Sequence, residues 1–119
     1  MKNIILVEDD SILAFVVKKY IEKMSCNCTA IASSFDETID AVKNNPSDLI
    51  LMDINLIGPK NGIDAAEEIR KFSAIPIFFL TGNSDKSFVA KMEAISNSTF
   101  LIKPVSFEDL KLKVETFNY

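Results

Sequence analysis

An α/β fold, with five parallel strands doubly wound in a (βα)5 arrangement, is predicted for this 119-residue chain by two observations. Apolar runs of strand length alternate with stretches whose apolar residues recur at helical spacing, the pattern of repeated βα units. Four polar residues, Asp9, Asp53, Thr81 and Lys103, stand at the ends of the runs Ile4-Ile5-Leu6-Val7, Leu49-Ile50-Leu51-Met52, Ile77-Phe78-Phe79-Leu80 and Phe100-Leu101-Ile102. Parallel strands bring all four side chains to one edge of the sheet, and open α/β sheets bind ligands beyond the carboxyl ends of their strands.

The first strand is expected near 3 to 7 and is followed by a helix over about 11 to 24. That helix places Leu13, Val17, Tyr20, Ile21 and Met24 on one stripe, with Phe15 and Val16 broadening it. A second strand near 28 to 32 leads to a helix over about 35 to 44. Its start, Ser34-Phe35-Asp36-Glu37, reads as a capping box, and Ile39 and Val42 face the sheet. The third strand, near 48 to 52, is apolar on both faces, as a central parallel strand is. The third helix, about 62 to 71, buries Ile63, Ala66 and Ile69. A strand near 75 to 80 and a helix over about 85 to 95 with Phe88, Met92 and Ile95 follow. The last strand lies near 99 to 102, and the last helix begins at Ser106-Phe107-Glu108-Asp109 with Leu110, Val114 and Phe117 inward. Turn signals separate the elements: Asn45-Pro46-Ser47, Gly58-Pro59-Lys60-Asn61-Gly62 and Thr81-Gly82-Asn83. No linker or low-complexity segment interrupts the pattern, so residues 1 to 119 read as one domain.

Composition narrows the function. A net charge of -4 without a basic stretch argues against nucleic acid or an anionic membrane as a direct partner. No run reaches the roughly 20 apolar residues of a membrane span, and the start lacks a signal peptide's apolar region, so a cytoplasmic location is expected. Cys26 and Cys28 read as reduced thiols at a helix-strand junction, pointing the same way. Histidine is absent, which excludes imidazole acid-base catalysis and any phosphohistidine on this chain.

Glu8, Asp9 and Asp10 form an acidic run after the first strand. Capping the next helix needs one carboxylate, not three. Carboxylates converging there with Asp53 repel one another and hold their protons more tightly unless a cation intervenes. Mg2+ answers that need, since it takes oxygen ligands and commonly bridges a carboxylate to a phosphoryl oxygen. Thr81 and Lys103 add a hydroxyl and a cationic donor for phosphoryl oxygens. Asp53 is then a candidate nucleophile that forms an acyl phosphate by in-line attack.

On these residues the chain resembles the receiver domains of two-component response regulators over essentially its whole length. Val7-Glu8-Asp9-Asp10 is similar to the family's acidic segment, Met52-Asp53-Ile54-Asn55-Leu56 to its phosphoacceptor segment, Leu80-Thr81-Gly82 to its hydroxyl-bearing segment, and Leu101-Ile102-Lys103-Pro104 to its lysine-proline signature. The resemblance implies a flavodoxin-like sheet of strand order 2-1-3-4-5. It implies that Asp53 accepts a phosphoryl group from a histidine kinase or histidine phosphotransfer protein. Asp9 would bind Mg2+ directly, Glu8 mainly through water, and Asn55 through its backbone carbonyl. Thr81 and Phe100 would form the switch, Thr81 swinging toward the phosphate and Phe100 moving inward behind it. Phe100 has no hydroxyl to satisfy and so favours burial. The face formed by the fourth helix, fifth strand and fifth helix would then dock a downstream protein or a second receiver, and the chain would be a self-phosphorylating switch rather than an enzyme. Asn55 and Asn83 fall where the family's equivalents influence hydrolysis of the phosphoryl group. The Lys103-Pro104 bond resembles one that is cis in the family.

Two departures stand out. The loop Leu56-Ile57-Gly58-Pro59-Lys60-Asn61-Gly62 is one residue longer than the family's commonest form and has no proline at position 57. The segment Ile95-Ser96-Asn97-Ser98-Thr99 lacks the usual small Gly-Ala turn. A stand-alone receiver, or one excised from a larger protein, fits this length. Two rival readings are a receiver-like interaction module that works without phosphate, and a phosphatase of the haloacid dehalogenase type. The latter puts its nucleophile on the first strand with a second Asp two residues on, whereas here the third strand carries it and position 55 is Asn.

Overall fold

The computed structural model describes residues 2–82 and 86–119. Five strands, β1 (Asn3–Val7), β2 (Asn27–Ala32), β3 (Leu49–Asp53), β4 (Ile77–Thr81) and β5 (Ser98–Ile102), alternate with helices α1 (Ser11–Lys23), α2 (Phe35–Asn44), α3 (Gly62–Ile69), α4 (Val89–Glu93) and α5 (Phe107–Thr116). All strand pairs are parallel, in the order β2-β1-β3-β4-β5. This is the predicted doubly wound, flavodoxin-like sheet.

Strand alternation divides the apolar side chains between two layers. Ile4, Leu6, Leu49, Leu51, Phe78, Leu80 and Leu101 pack with Ala14, Val17 and Ile21 of α1 and Leu110 and Val114 of α5. Ile5, Val7, Ile50, Met52, Ile77 and Phe79 pack on the other face with Ile63, Ala66 and Ile69 of α3 and Met92 of α4, and Ile39 and Val42 of α2 join them. Both faces of β1, β3 and β4 are thus covered, which is why their sequences are continuous apolar runs.

One strand departs from simple alternation. Cys28 stands opposite Ile4 but Ala30 opposite Ile5, so Thr29 forms a β-bulge, with its Oγ1 donating to the Ile4 carbonyl at 3.3 Å. The extra residue switches faces along β2. Cys26 and Cys28 are free thiols packed together on the α1 side, while Ala30 and Ala32 pack on the other.

The helix ends correct several expectations. Ser34 caps α2 by accepting from the Glu37 N–H at 3.2 Å, but the Glu37 carboxylate takes the N–H and hydroxyl of Ser33, not the N–H of Ser34. A full capping box forms instead on α3, between Asn61 and Asp64. Helix α3 stops at Ile69, two residues early. The fourth helical segment is a 3-10 turn, Lys86–Phe88, followed by only five α-helical residues; its expected start at 85 lies outside the described residues. On α1, Phe15 is 60% exposed and Leu13 and Val16 are partly open, because Ala14, Val17 and Ile21, flanked by Tyr20 and Met24, fill the space against the sheet. Among the described residues no helix is long and apolar enough to cross a membrane.

Candidate functional site

At the carboxyl ends of β1 and β3, the buried carboxylates of Glu8 (4% exposed) and Asp53 (2%) face the ammonium of Lys103. Lys103 Nζ lies 2.9 Å from Asp53 Oδ1 and 3.5 Å from Glu8 Oε1. Oxygens of Glu8, Asp9 and Asp53 all lie within 4.8 Å of one another. The backbone delivers this convergence: Val7 and Met52 are register partners in neighbouring strands, and β5 places Lys103 after Ile102, the partner of Thr81. The Lys103-Pro104 peptide is cis, as the resemblance implies.

The acidic run divides its labour. Asp10 is the N-cap of α1, its Oδ1 accepting from the N–H groups of Ile12 (2.9 Å) and Leu13 (3.2 Å). That leaves Glu8 and Asp9 for the site, Glu8 buried and Asp9 exposed. Burial pushes the Glu8 carboxyl from its usual 4.5 to about 7; the Asp10 N–H opposes the rise, Asp53 adds to it and Lys103 offsets part of it. For Lys103, burial works against the ammonium, yet the two carboxylates outweigh it and hold its titration above the usual lysine value.

Asp53 is held from below and behind. Its Oδ1 accepts from the Asn55 N–H at 3.2 Å, and the Gly62 N–H donates to the Ile54 carbonyl at 2.7 Å. A Cβ on Gly62 would collide with the Asp53 carbonyl and come within 3.0 Å of Ile54 Cα. By composition Gly62 reads only as the end of a turn. The available signal was glycine at the first position of a helix, where it is costly and only clearance accounts for it.

Thr81 is buried at the end of β4, its hydroxyl 3.4 Å from the Gly82 carbonyl. Phe100, expected to favour burial, is 40% exposed. It projects opposite Leu101 on edge strand β5, on the side of α4, where it lines a groove with Met92 and Ile95. Asn55 is exposed beside Asp53, whereas Asn83 lies outside the described residues.

A sequence model of the response regulator receiver domain matches residues 4–115. The chain belongs to this family. Receiver domains are the signalling switches of two-component systems rather than enzymes. Transcriptional regulatory protein YvrH of Bacillus subtilis is 30% identical over 112 residues, 94% of this chain and 47% of that protein. BaeR of Escherichia coli is 31% identical over 114 residues, 96% of this chain and 47% of that one. The receiver thus spans about half the length of these curated relatives. Among solved structures, a LuxR-family two-component response regulator from Aurantimonas has a TM-score of 0.87 at 26% identity, covering 97% of this chain and 83% of that one. The receiver domain of sensor histidine kinase PA1611 from Pseudomonas aeruginosa, a structure with a magnesium ion coordinated in the active site cleft, has a TM-score of 0.86. At 23% identity, covering 98% of this chain and 96% of that one, it shares the fold.

Beside the site the receiver presents apolar surface. A groove of about 350 Å3 runs from Glu8 and Lys103 between Leu13, Val16 and Tyr20 of α1 and Pro104. On the other flank of Asp9, a cleft is lined by Phe15 and Ile31, both exposed.

Proposed function

We propose that this receiver is a phosphorylation switch whose acceptor is Asp53, and the observation that carries the reading is the Lys103 ammonium bridging two buried carboxylates beside a third. A histidine kinase or histidine phosphotransfer protein supplies the phosphoryl group, since the chain holds no histidine. An Asp53 carboxylate oxygen attacks phosphorus in line with the donor nitrogen; a P–O bond forms, the P–N bond breaks, and the imidazole nitrogen leaves with its electron pair. Lys103, already at Asp53, steadies the phosphoryl oxygens as charge shifts onto them. Thr81 donates its hydroxyl to the product.

Glu8, Asp9 and Asp53 fit Mg2+: hard oxygen donors within reach of one ion, two of them buried with only part of their charge offset by Lys103. When bound there, Mg2+ supplies positive charge that offsets repulsion between Asp53 and the incoming phosphoryl group. Asp9 would hold it directly, Glu8 would help through water, and Asn55 would offer its backbone carbonyl.

The donor protein docks over α1, because whatever delivers phosphate to Asp53 must cover the mouth of the site, and Ile12, Leu13, Phe15 and Val16 stand exposed around it. Phosphorylation then shifts the population between two packings of α4, β5 and α5, with Phe100 moving inward, and a downstream protein or second receiver reads that face.

Incubation with acetyl phosphate and Mg2+ followed by intact mass measurement tests the reading. One added phosphoryl mass is expected in the wild type and none in Asp53→Asn. An unlabelled wild type, under conditions that label a control receiver, would instead leave a phosphate-independent interaction module.

A further inference from the structure

Arg70 is the only arginine in the sequence; every other cationic side chain is a lysine. Among the described residues it joins no ion pair, and its guanidinium serves backbone carbonyls. Nε and Nη2 donate to Ser96 O at 3.0 and 2.8 Å, Nη2 also to Asn97 O at 3.1 Å, and Nη1 to Ser73 O at 3.2 Å. Asn97 completes the junction. It adopts φ 53, a left-handed conformation that asparagine tolerates better than most residues, and its Nδ2 donates to Ala74 O at 2.6 Å. Its own carbonyl also accepts from the Ile77 N–H at 3.2 Å. Three segments are thereby tied at one point: the end of α3, its connection to β4, and the turn between α4 and β5. A lysine, a point charge on a flexible stem, could not span these carbonyls.

The turn so tied is where the chain lacks the small residues usual in the family, and it is the shared base from which α4 and β5 run. Their other features are weakly held. The first α-helical turn of α4 has no side-chain cap, and Phe100 is half open to solvent. We propose that Arg70 and Asn97 form the fixed pivot of the switch, holding the base of α4 and β5 still while the parts near Phe100 and Thr81 rearrange on phosphorylation. The inference rests on the phosphorylation reading above. Charge-assisted bonds to several carbonyls make this end rigid in both packings, so a displacement begun at Asp53 becomes a rotation about the turn instead of a slide of the whole face.

Hydrogen exchange with mass spectrometry on the full chain, without phosphate and with acetyl phosphate and Mg2+, tests this. In the unphosphorylated wild type, peptides covering 72 to 80 and 94 to 99 should be protected, and Arg70→Ala should speed their exchange about tenfold. Arg70→Lys should act almost as strongly. Asn97→Gly, which keeps the backbone conformation but loses the side-chain bond, should act less. Phosphorylation of the wild type should change exchange around 86 to 93 and 100 to 103 while leaving 94 to 99 unchanged, and Arg70→Ala should extend the change into 94 to 99. The pivot is overturned if exchange in 94 to 99 ignores all three substitutions, or if phosphorylation alters that segment in the wild type. If Arg70→Ala does not fold, Arg70→Lys and Asn97→Gly carry the same comparison. Intact mass on the same samples separates the two proposals: a wild type that takes no phosphate sinks the switch, whereas a labelled wild type with an indifferent turn sinks only the pivot.

Discussion

Glu8 shows how a single buried group sets the conditions under which the site works. Unfolded, its carboxyl ionises near 4.5; folded, it keeps its proton to about 7. At this group the folded state therefore binds more protons across that window, and Glu8's contribution to the stability of the metal-free protein is lost as pH rises from 4.5 through 7. Mg2+ at the proposed site would compete with that proton. The rise in melting temperature on adding Mg2+ is expected to be larger near pH 8 than near pH 5.5; an equal rise at both would place the ion away from Glu8. Asp53→Asn removes one of two crowded buried carboxylates while leaving Lys103 its bond to Glu8. It is expected to stabilise the metal-free protein near pH 8 by on the order of 1 kcal/mol in urea unfolding, and a loss of similar size would mean that the Lys103 pair outweighs the repulsion. Asp53, Lys103 and the acidic run were legible because each ends an apolar strand with a charge, and the structure keeps Glu8 and Asp53 buried there. Phe100 was not, because it sits on edge strand β5, where its exposure depends on tertiary packing that the sequence pattern does not carry.

At the level of elements, Gly62 and α1 lead to opposite kinds of test. Helix propensity alone favours Gly62→Ala by up to about 1 kcal/mol. The collision with the Asp53 backbone opposes it, and backbone cannot swing aside as a side chain can. The collision should win, with a net loss of about 2 kcal/mol in urea unfolding and slower labelling of Asp53 by acetyl phosphate; a more stable variant would refute the clearance role. On α1, Ile12→Ser and Phe15→Ser remove largely exposed side chains, Phe15 having only the Lys19 ammonium over its ring at 5.2 Å, so stability should change by no more than about 0.5 kcal/mol. Transfer from a protein donor should slow while labelling by acetyl phosphate stays the same. Equal slowing by both routes would mean that α1 shapes the site and not the encounter. The existence and order of elements were legible from periodicity, since each stripe must face the sheet. Their ends were not: α3 stops where Arg70 turns to the carbonyls of Ser73 and Ser96, α4 is preceded by a 3-10 turn that periodicity does not distinguish from α-helix, and the bulge at Thr29 has no composition signal.

Across the whole molecule, one sheet separates two apolar layers, and the proposed changing face straddles them. The proposed donor surface lies on α1, in the layer it shares with α5, whereas the proposed changing face takes α4 from one layer and α5 from the other. Phe78 and Phe79 are neighbours in sequence yet fully buried in different layers. Phe79 and Met52 are distant in sequence but register partners in one layer. If the sheet insulates the layers, Phe78→Leu and Phe79→Leu, each costing about 1 kcal/mol, should add to within about 0.5 kcal/mol in urea unfolding. Phe79→Leu with Met52→Leu should depart from additivity by more than that, because the two side chains repack around one shared space. Comparable coupling in both pairs would show that strain crosses the sheet. The site at the strand ends would then feel donor docking and partner docking through a common core, and not only through phosphate on Asp53.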